Sequence, residues 1–147
     1  MKFRLSTLLW LIAGTAILLG LIVQMLPSAG TGLSRQQVSI ENLPSDASDI
    51  DFFNSGFRNP DNYFEFNTSK QGFENWVSSF SDLTLELPNK QFGLSIRRYD
   101  VDSGIRTKLL TYEGLRYTWI DPERGDHMIE LAYDETTGRA FYFQSNF

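Results

Sequence analysis

Few residues in this chain are placed to do chemistry. His127 is the only histidine. It opens an alternating segment and would act as a general acid or base if a carboxylate met it. A lone histidine at a strand edge is the plainer reading of the same residue. Acids recur at close spacing in Asp46-x-x-Asp49-x-Asp51, Asp100-x-Asp102 and Asp121-x-Glu123-x-x-Asp126. A hard cation takes about six to eight oxygen ligands, so solvated loop acids account for these short clusters without a metal. Two acids brought together by the fold could form a hydrolytic pair, but their separation is not written in the sequence. With no cysteine in the chain, thiolate metal sites, thiol nucleophiles, lipidated cysteines and disulfides are excluded. No G-x-S-x-G, H-E-x-x-H, Gly-rich phosphate loop or EF-hand loop occurs. Catalytic residues, metal ligands and cofactors are therefore left unassigned.

The aromatic residues offer a different chemistry. Tyr112, Tyr117, Trp119, Tyr133, Tyr142 and Phe143 fall in neighbouring alternating segments. A sheet face that kept several of them open would stack sugars or grip a peptide. The same rings under a helix would be ordinary core. Tyr117, Trp119, Tyr133 and Tyr142 are the candidate ligand-binding residues if they stand on the sheet face away from the helix. Packing in the core or across strands is the favoured reading of these rings.

Several elements must position them. Tyr63 to Phe66 alternates and reads as a strand. Thr68-x-x-Gln71 then has the form of a capping box, opening a helix with Phe73, Trp76, Val77 and Phe80 at i, i+3, i+4 and i+7. Beyond it the period becomes two: Leu83, Leu85 and Leu87, then Phe92, Leu94 and Ile96, then Ile105–Tyr112, Leu115–Ile120, Met128–Tyr133 and Ala140–Phe143. Glu113-Gly114 reads as a tight hairpin turn between two of these segments. Short links favour antiparallel neighbours in sequence order.

Ahead of this domain runs LLWLIAGTAILLGLIVQML, Leu8 to Leu26, preceded by Lys2 and Arg4. At ~1.5 Å per residue such a helix would be roughly 28 Å long, near the thickness of a bilayer's hydrocarbon core. The two cations would keep its N-terminus in the cytoplasm. Small residues from Ser28 to Thr31 leave the alternative of cleavage near Gly30. Residues 27–147 keep 11 of the 13 Lys and Arg against all 18 acids, a net of −7, which argues against a nucleic-acid partner.

The opening KFRLSTLLWLIAGTAILLG resembles the signal-anchor segments of small bacterial membrane-tethered proteins. LPSDASDIDFF, followed by YFEF, FENW and YDETTGRAFYF, is similar to uncharacterised bacterial extracytoplasmic modules that begin Leu-Pro-x-x-Ala-x-x-Ile, here Leu43, Pro44, Ala47 and Ile50. This resemblance spans most of residues 43–147. It implies a fold-sized module with no known activity, and no functional residue is carried over from it.

The expected fold is α+β: an N-terminal transmembrane helix, then one helix packed on an antiparallel meander sheet of about five to six strands. Residues 1–26 would be a cytoplasmic tip and signal-anchor, 27–44 a flexible stalk, and 45–147 the extracytoplasmic domain. The expected partners are the membrane, crossed once with the N-terminus in the cytoplasm, and an envelope protein or a glycan. An interaction domain is the leading functional expectation. The alternatives are a small envelope enzyme using a carboxylate pair or His127, and an accessory subunit of a membrane complex.

Overall fold

Segments of period two in this chain do not pair in the order in which they are written. The computed structural model describes residues 5–24, 26–38, 43–56, 61–89, 91–123, 125 and 127–146. Its elements are α1 (Leu5–Gln24), β1 (Ser28–Leu33), β2 (Ser48–Asn54), β3 (Asn62–Asn67), α2 (Lys70–Val77), β4 (Thr84–Glu86), β5 (Leu94–Asp100), β6 (Ile105–Thr111), β7 (Gly114–Ile120), β8 (His127–Asp134) and β9 (Arg139–Asn146). Seven strands form one sheet in the order β1-β2-β3-β9-β8-β7-β4, and β5 and β6 form a separate hairpin. Every pairing is antiparallel.

This corrects the expected α+β meander of five to six strands. The molecule is mostly β, with nine strands among the described residues. Residues 28–33, expected within a flexible stalk, form the edge strand β1 on β2. The turn expected at Glu113-Gly114 joins no hairpin, because β6 pairs with β5 and β7 pairs with β8 and β4. The transmembrane helix is corrected as well: among the described residues no helix is long and apolar enough to cross a membrane.

Parity sorts the side chains of the sheet between two covers. On one face Phe66, Leu131, Tyr133, Ala140 and Tyr142 pack beneath Phe73, Trp76 and Val77 of α2. The apolar stripe lies where the sequence puts it, with Phe80, just past the helix, half-buried edge-on to Trp76 at 5.6 Å. The cap sits one residue later than expected. Ser69 is the N-cap, its hydroxyl accepting from the Gly72 amide at 3.0 Å. Thr68 instead donates to Asp46 at 2.7 Å, and Asp46 also accepts from the Ser69 amide (2.9 Å) and hydroxyl (2.7 Å). A β-carbon at Gly72 would come within 2.6 Å of that carboxylate, so only glycine lets Asp46 approach so closely.

On the other face the β5–β6 hairpin covers Tyr63, Ala132, Phe141 and Phe143 with Leu94, Ile96 and Tyr99. Four buried carboxylates of the sheet region meet it, Glu65, Asp61, Glu130 and Asp134, the last accepting from the Thr111 hydroxyl of β6 at 2.7 Å. Glu65 accepts two hydrogen bonds at 2.6 Å from Arg98 and one at 2.9 Å from Arg139, and it is also bonded by the Tyr63 hydroxyl. Asp61 accepts from Tyr99 (2.5 Å), Ser145 (2.6 Å) and Arg106. Glu130 takes the Arg97 backbone amide at 3.1 Å. Burial pushes the Glu65 carboxyl up, yet the Arg98 and Tyr63 hydrogen bonds and the charges of Arg139 and Arg98 hold it below the ordinary carboxylate value. Asp61 is likewise raised by burial and brought below its ordinary value by Ser145, Tyr99 and Arg106. Breaking one side of such a buried pair costs about 3–5 kcal/mol. The half-exposed Arg98 puts this pair toward the lower end of that range.

Acid titration tests the helix cap. Burial raises the Asp46 carboxyl, but the Ser69 and Thr68 hydrogen bonds outweigh it and bring the group from 3.8 to about 2. A depressed folded pKa gives stability that is present above the unfolded value and lost as pH falls. Asp46→Asn is expected to be less stable at pH 7 and to lose less stability between pH 4 and 2 than the parent in urea unfolding. Parallel profiles contradict this.

Candidate functional site

A helix of eight residues is about 12 Å long, whereas an eight-residue strand such as β8 runs about 26 Å. The helix α2 therefore covers only part of its sheet face, and a band of that face lies beyond it. Register fixes what stands there. Phe52, Phe64, Tyr142, Leu131 and Tyr117 form one row across β2, β3, β9, β8 and β7, and Asn54, Asn62, Gln144, Ile129 and Trp119 form the next. His127 lies one position farther along β8 on the same face.

The second row is joined by side-chain amides. Asn54 Nδ2 donates to Asn62 Oδ1 at 2.6 Å, and Asn62 Nδ2 donates to Gln144 Oε1 at 3.4 Å. The Tyr142 hydroxyl donates to the same oxygen at 3.0 Å. Burial pushes this phenol up to about 12, so it stays a donor at physiological pH. With its oxygen taken twice, Gln144 turns its amide nitrogen to His127 Nε2 at 3.1 Å, which leaves the proton of neutral imidazole on Nδ1. Trp119 meets the His127 ring edge-on at 5.3 Å. Phe64 stacks on Tyr142 at 4.5 Å and 12°. Asn54, Asn62, Gln144, His127 and Trp119 are all half-buried. A cavity of about 440 Å³ opens at the β2–β3 end, lined in part by Gln37, Val38, Phe52, Asn54, Asn62 and Phe64.

The four aromatic candidates share one face, the face of α2, where the favoured core reading of these rings puts them. Tyr133 is buried core, stacked on Phe73 at 5.2 Å with its hydroxyl donating to the Thr68 carbonyl at 3.2 Å. The Tyr142 ring is buried too, and only its hydroxyl joins the amide row. Tyr117 is half-buried, 6.2 Å from Phe73. Trp119 reaches the band. Asn54, Asn62 and Gln144 were missed, and their signal is weak: three amides at the ends of strands, meaningful only once the strand order is known.

The acidic clusters have structural partners. Asp46 accepts from Thr68 and from the N-cap Ser69 of α2, while Asp49 and Asp51 accept from Arg139 at 2.8 and 2.5 Å. Asp100 accepts from the Ser103 amide and Asp121 from the Glu123 amide, closing turns. Asp126 lies outside the described residues. Among the described residues no group of three or more acids, histidines or cysteines is placed to hold a metal ion, and none of the described hydrogen bonds joins His127 to a carboxylate. The band offers uncharged donors, acceptors and ring faces, which suits binding better than proton transfer. No family model, curated protein or solved structure matches the chain.

Removing the centre of the relay should be visible in stability. Gln144→Leu strands the Tyr142 hydroxyl, the Asn62 amide and His127 Nε2, and is expected to cost about 1–3 kcal/mol in urea unfolding. A change below a few tenths of a kcal/mol contradicts the relay.

Proposed function

We propose that this chain is a non-enzymatic binding module that holds a polyhydroxylated ligand, a glycan, on the band beyond α2. The observation carrying this reading is the hydrogen-bonded chain Asn54, Asn62, Gln144 and His127 beside Trp119, Phe64 and Phe52. Sugar rings present paired hydroxyls, which match neutral amides at fixed spacing. Their C–H faces match aromatic rings. Neutral groups pre-ordered by one another lose little freedom on binding, which favours affinity. For the alternative of an enzyme built on His127 and a carboxylate, none of the described hydrogen bonds joins His127 to an acid. Buried Glu65 and Asp61 are already committed to arginines.

The same proposal gives α1 the task of attaching the module to a membrane. Leu9, Trp10, Ile17 and Val23 are each more than half exposed. Apolar surface on that scale favours a lipid environment. Thr15 donates its hydroxyl to the Leu11 carbonyl at 2.7 Å, so its polar atom needs no water.

Titration of the full chain in neutral-lipid nanodiscs with neutral oligosaccharides of several linkages, followed by calorimetry, tests the band. One linkage class is expected to bind saturably, and Trp119→Ala or Asn62→Ala to weaken it by roughly tenfold, about 1.4 kcal/mol. Absence of saturable binding, or binding indifferent to Trp119→Ala, overturns the proposal. For α1, flotation with phosphatidylcholine vesicles is expected to be lost in the double variant Ile12→Asp, Leu19→Asp. Retention of flotation overturns the attachment.

A further inference from the structure

Four of the thirteen Lys and Arg of this acidic chain, Arg97, Arg98, Arg106 and Lys108, sit on the β5–β6 hairpin. Strand register places Arg97 directly opposite Lys108, and Tyr99 directly opposite Arg106. Residues opposite one another in an antiparallel pair project to the same face, so three cations share one side of the hairpin. Like charges in directly opposed positions destabilise a strand pair. Their arrangement is convergent as well. The Arg97 and Arg106 guanidinium carbons lie 5.4 and 5.8 Å from the centroid of one ring, Phe143.

Internal pairing leaves part of this charge unanswered. Arg106 is met by Asp61, and Arg98 by Glu65 on the other side of the hairpin. The Arg97 guanidinium spends a hydrogen bond on the Met128 sulfur at 2.8 Å, a weak acceptor, and stands 3.7 Å from Glu130. None of the described hydrogen bonds or ion pairs involves Lys108, and its side chain is exposed. These cations line a cavity of about 460 Å³ together with Tyr99, Thr107 and Phe143, and no carboxylate is part of that wall. A smaller hollow of about 170 Å³ also borders Arg97, Arg106 and Phe143 and adds the apolar side chains of Ile120 and Met128. The acids that hold the hairpin are buried beneath it and do not fill the cleft.

We infer that this cleft is a binding site for a small polyanion, a ligand carrying two or more phosphate or carboxylate groups. Lys108 supplies a charge outside every described ion pair, and Arg97 adds a guanidinium that Glu130 meets only at 3.7 Å. The planar guanidinium fork of Arg97 can take an oxyanion through two parallel hydrogen bonds. Phe143 and Tyr99 form a flat floor that fixes the guanidinium orientation. Asp61 and Glu130 hold Arg106 and Arg97 from below, which orders the site before the ligand arrives. The cleft lies on the opposite side of the sheet from the amide band and serves a different chemistry, so the two sites stand or fall separately.

The test is calorimetric titration of the full chain in neutral-lipid nanodiscs with inorganic pyrophosphate and, separately, with citrate. Saturable one-site binding of at least one of them is expected, weakened by added salt. Which of the two binds more tightly separates phosphate from carboxylate ligands. Lys108→Ala is expected to raise the dissociation constant at least tenfold with an unchanged melting temperature, because Lys108 holds nothing in place. Lys70→Ala, which removes an exposed positive charge elsewhere, is expected to leave binding within twofold. Absence of saturable binding by both anions overturns the inference, as does an equal response of Lys108→Ala and Lys70→Ala.

Discussion

Burying a carboxylate without a partner is so costly that the buried acids of one sheet face dictate what must cover it. Glu65 and Glu130 stand on that face, and Asp61 lies just ahead of β3. Each is satisfied by the β5–β6 hairpin: Arg98 on Glu65, Tyr99 and Arg106 on Asp61, the Arg97 amide on Glu130. The apolar contacts of Ile96, Leu94 and Tyr99 would hold a hairpin there in many registers. Charged groups that must each find a partner allow far fewer. With this face closed, α2 closes the other, and its shortness leaves the amide band uncovered.

Much of the local structure was legible in the sequence. The stripe of Phe73, Trp76 and Val77 gave α2, because a period of 3.6 points to one buried face wherever that face lies. Alternation gave β3 and β5 to β9 to within a few residues. Partners were not legible. A period of two states that a strand has two faces and is silent on its neighbour, so the rule that adjacent segments pair was applied to β6 and β7 and failed. β3 shows the difficulty: Tyr63 and Phe66 are both fully buried although they face opposite sides. A strand buried on both faces carries no polar side to orient it. Glu65 looked like the solvent side of an alternating strand, and it is among the most deeply buried groups in the molecule.

The candidate site shares that limit. Four aromatic residues were expected to act together, and strand parity does put them on one face. Their fates then depend on where an eight-residue helix happens to lie. Tyr133 falls beneath it, Tyr142 keeps only its hydroxyl outside the core, and Trp119 lies past its reach. The amides beside Trp119 belong to β2, β3 and β9, and they meet only because β9 inserts between β3 and β8. The two faces thereby come to hold unlike chemistries. Neutral amides and rings lie on the helix side, while arginines and a lysine lie on the hairpin side, above acids that fix most of them.

The pairing between the sheet acids and the hairpin is tested most directly by a double-mutant cycle of Glu65→Gln and Arg98→Gln, read by urea unfolding at pH 7. Removal of either partner leaves the other poorly satisfied, so the pair should show a coupling of about 1–3 kcal/mol. Strictly additive losses, with coupling indistinguishable from zero, would contradict the claim that buried carboxylates fasten the hairpin to the sheet.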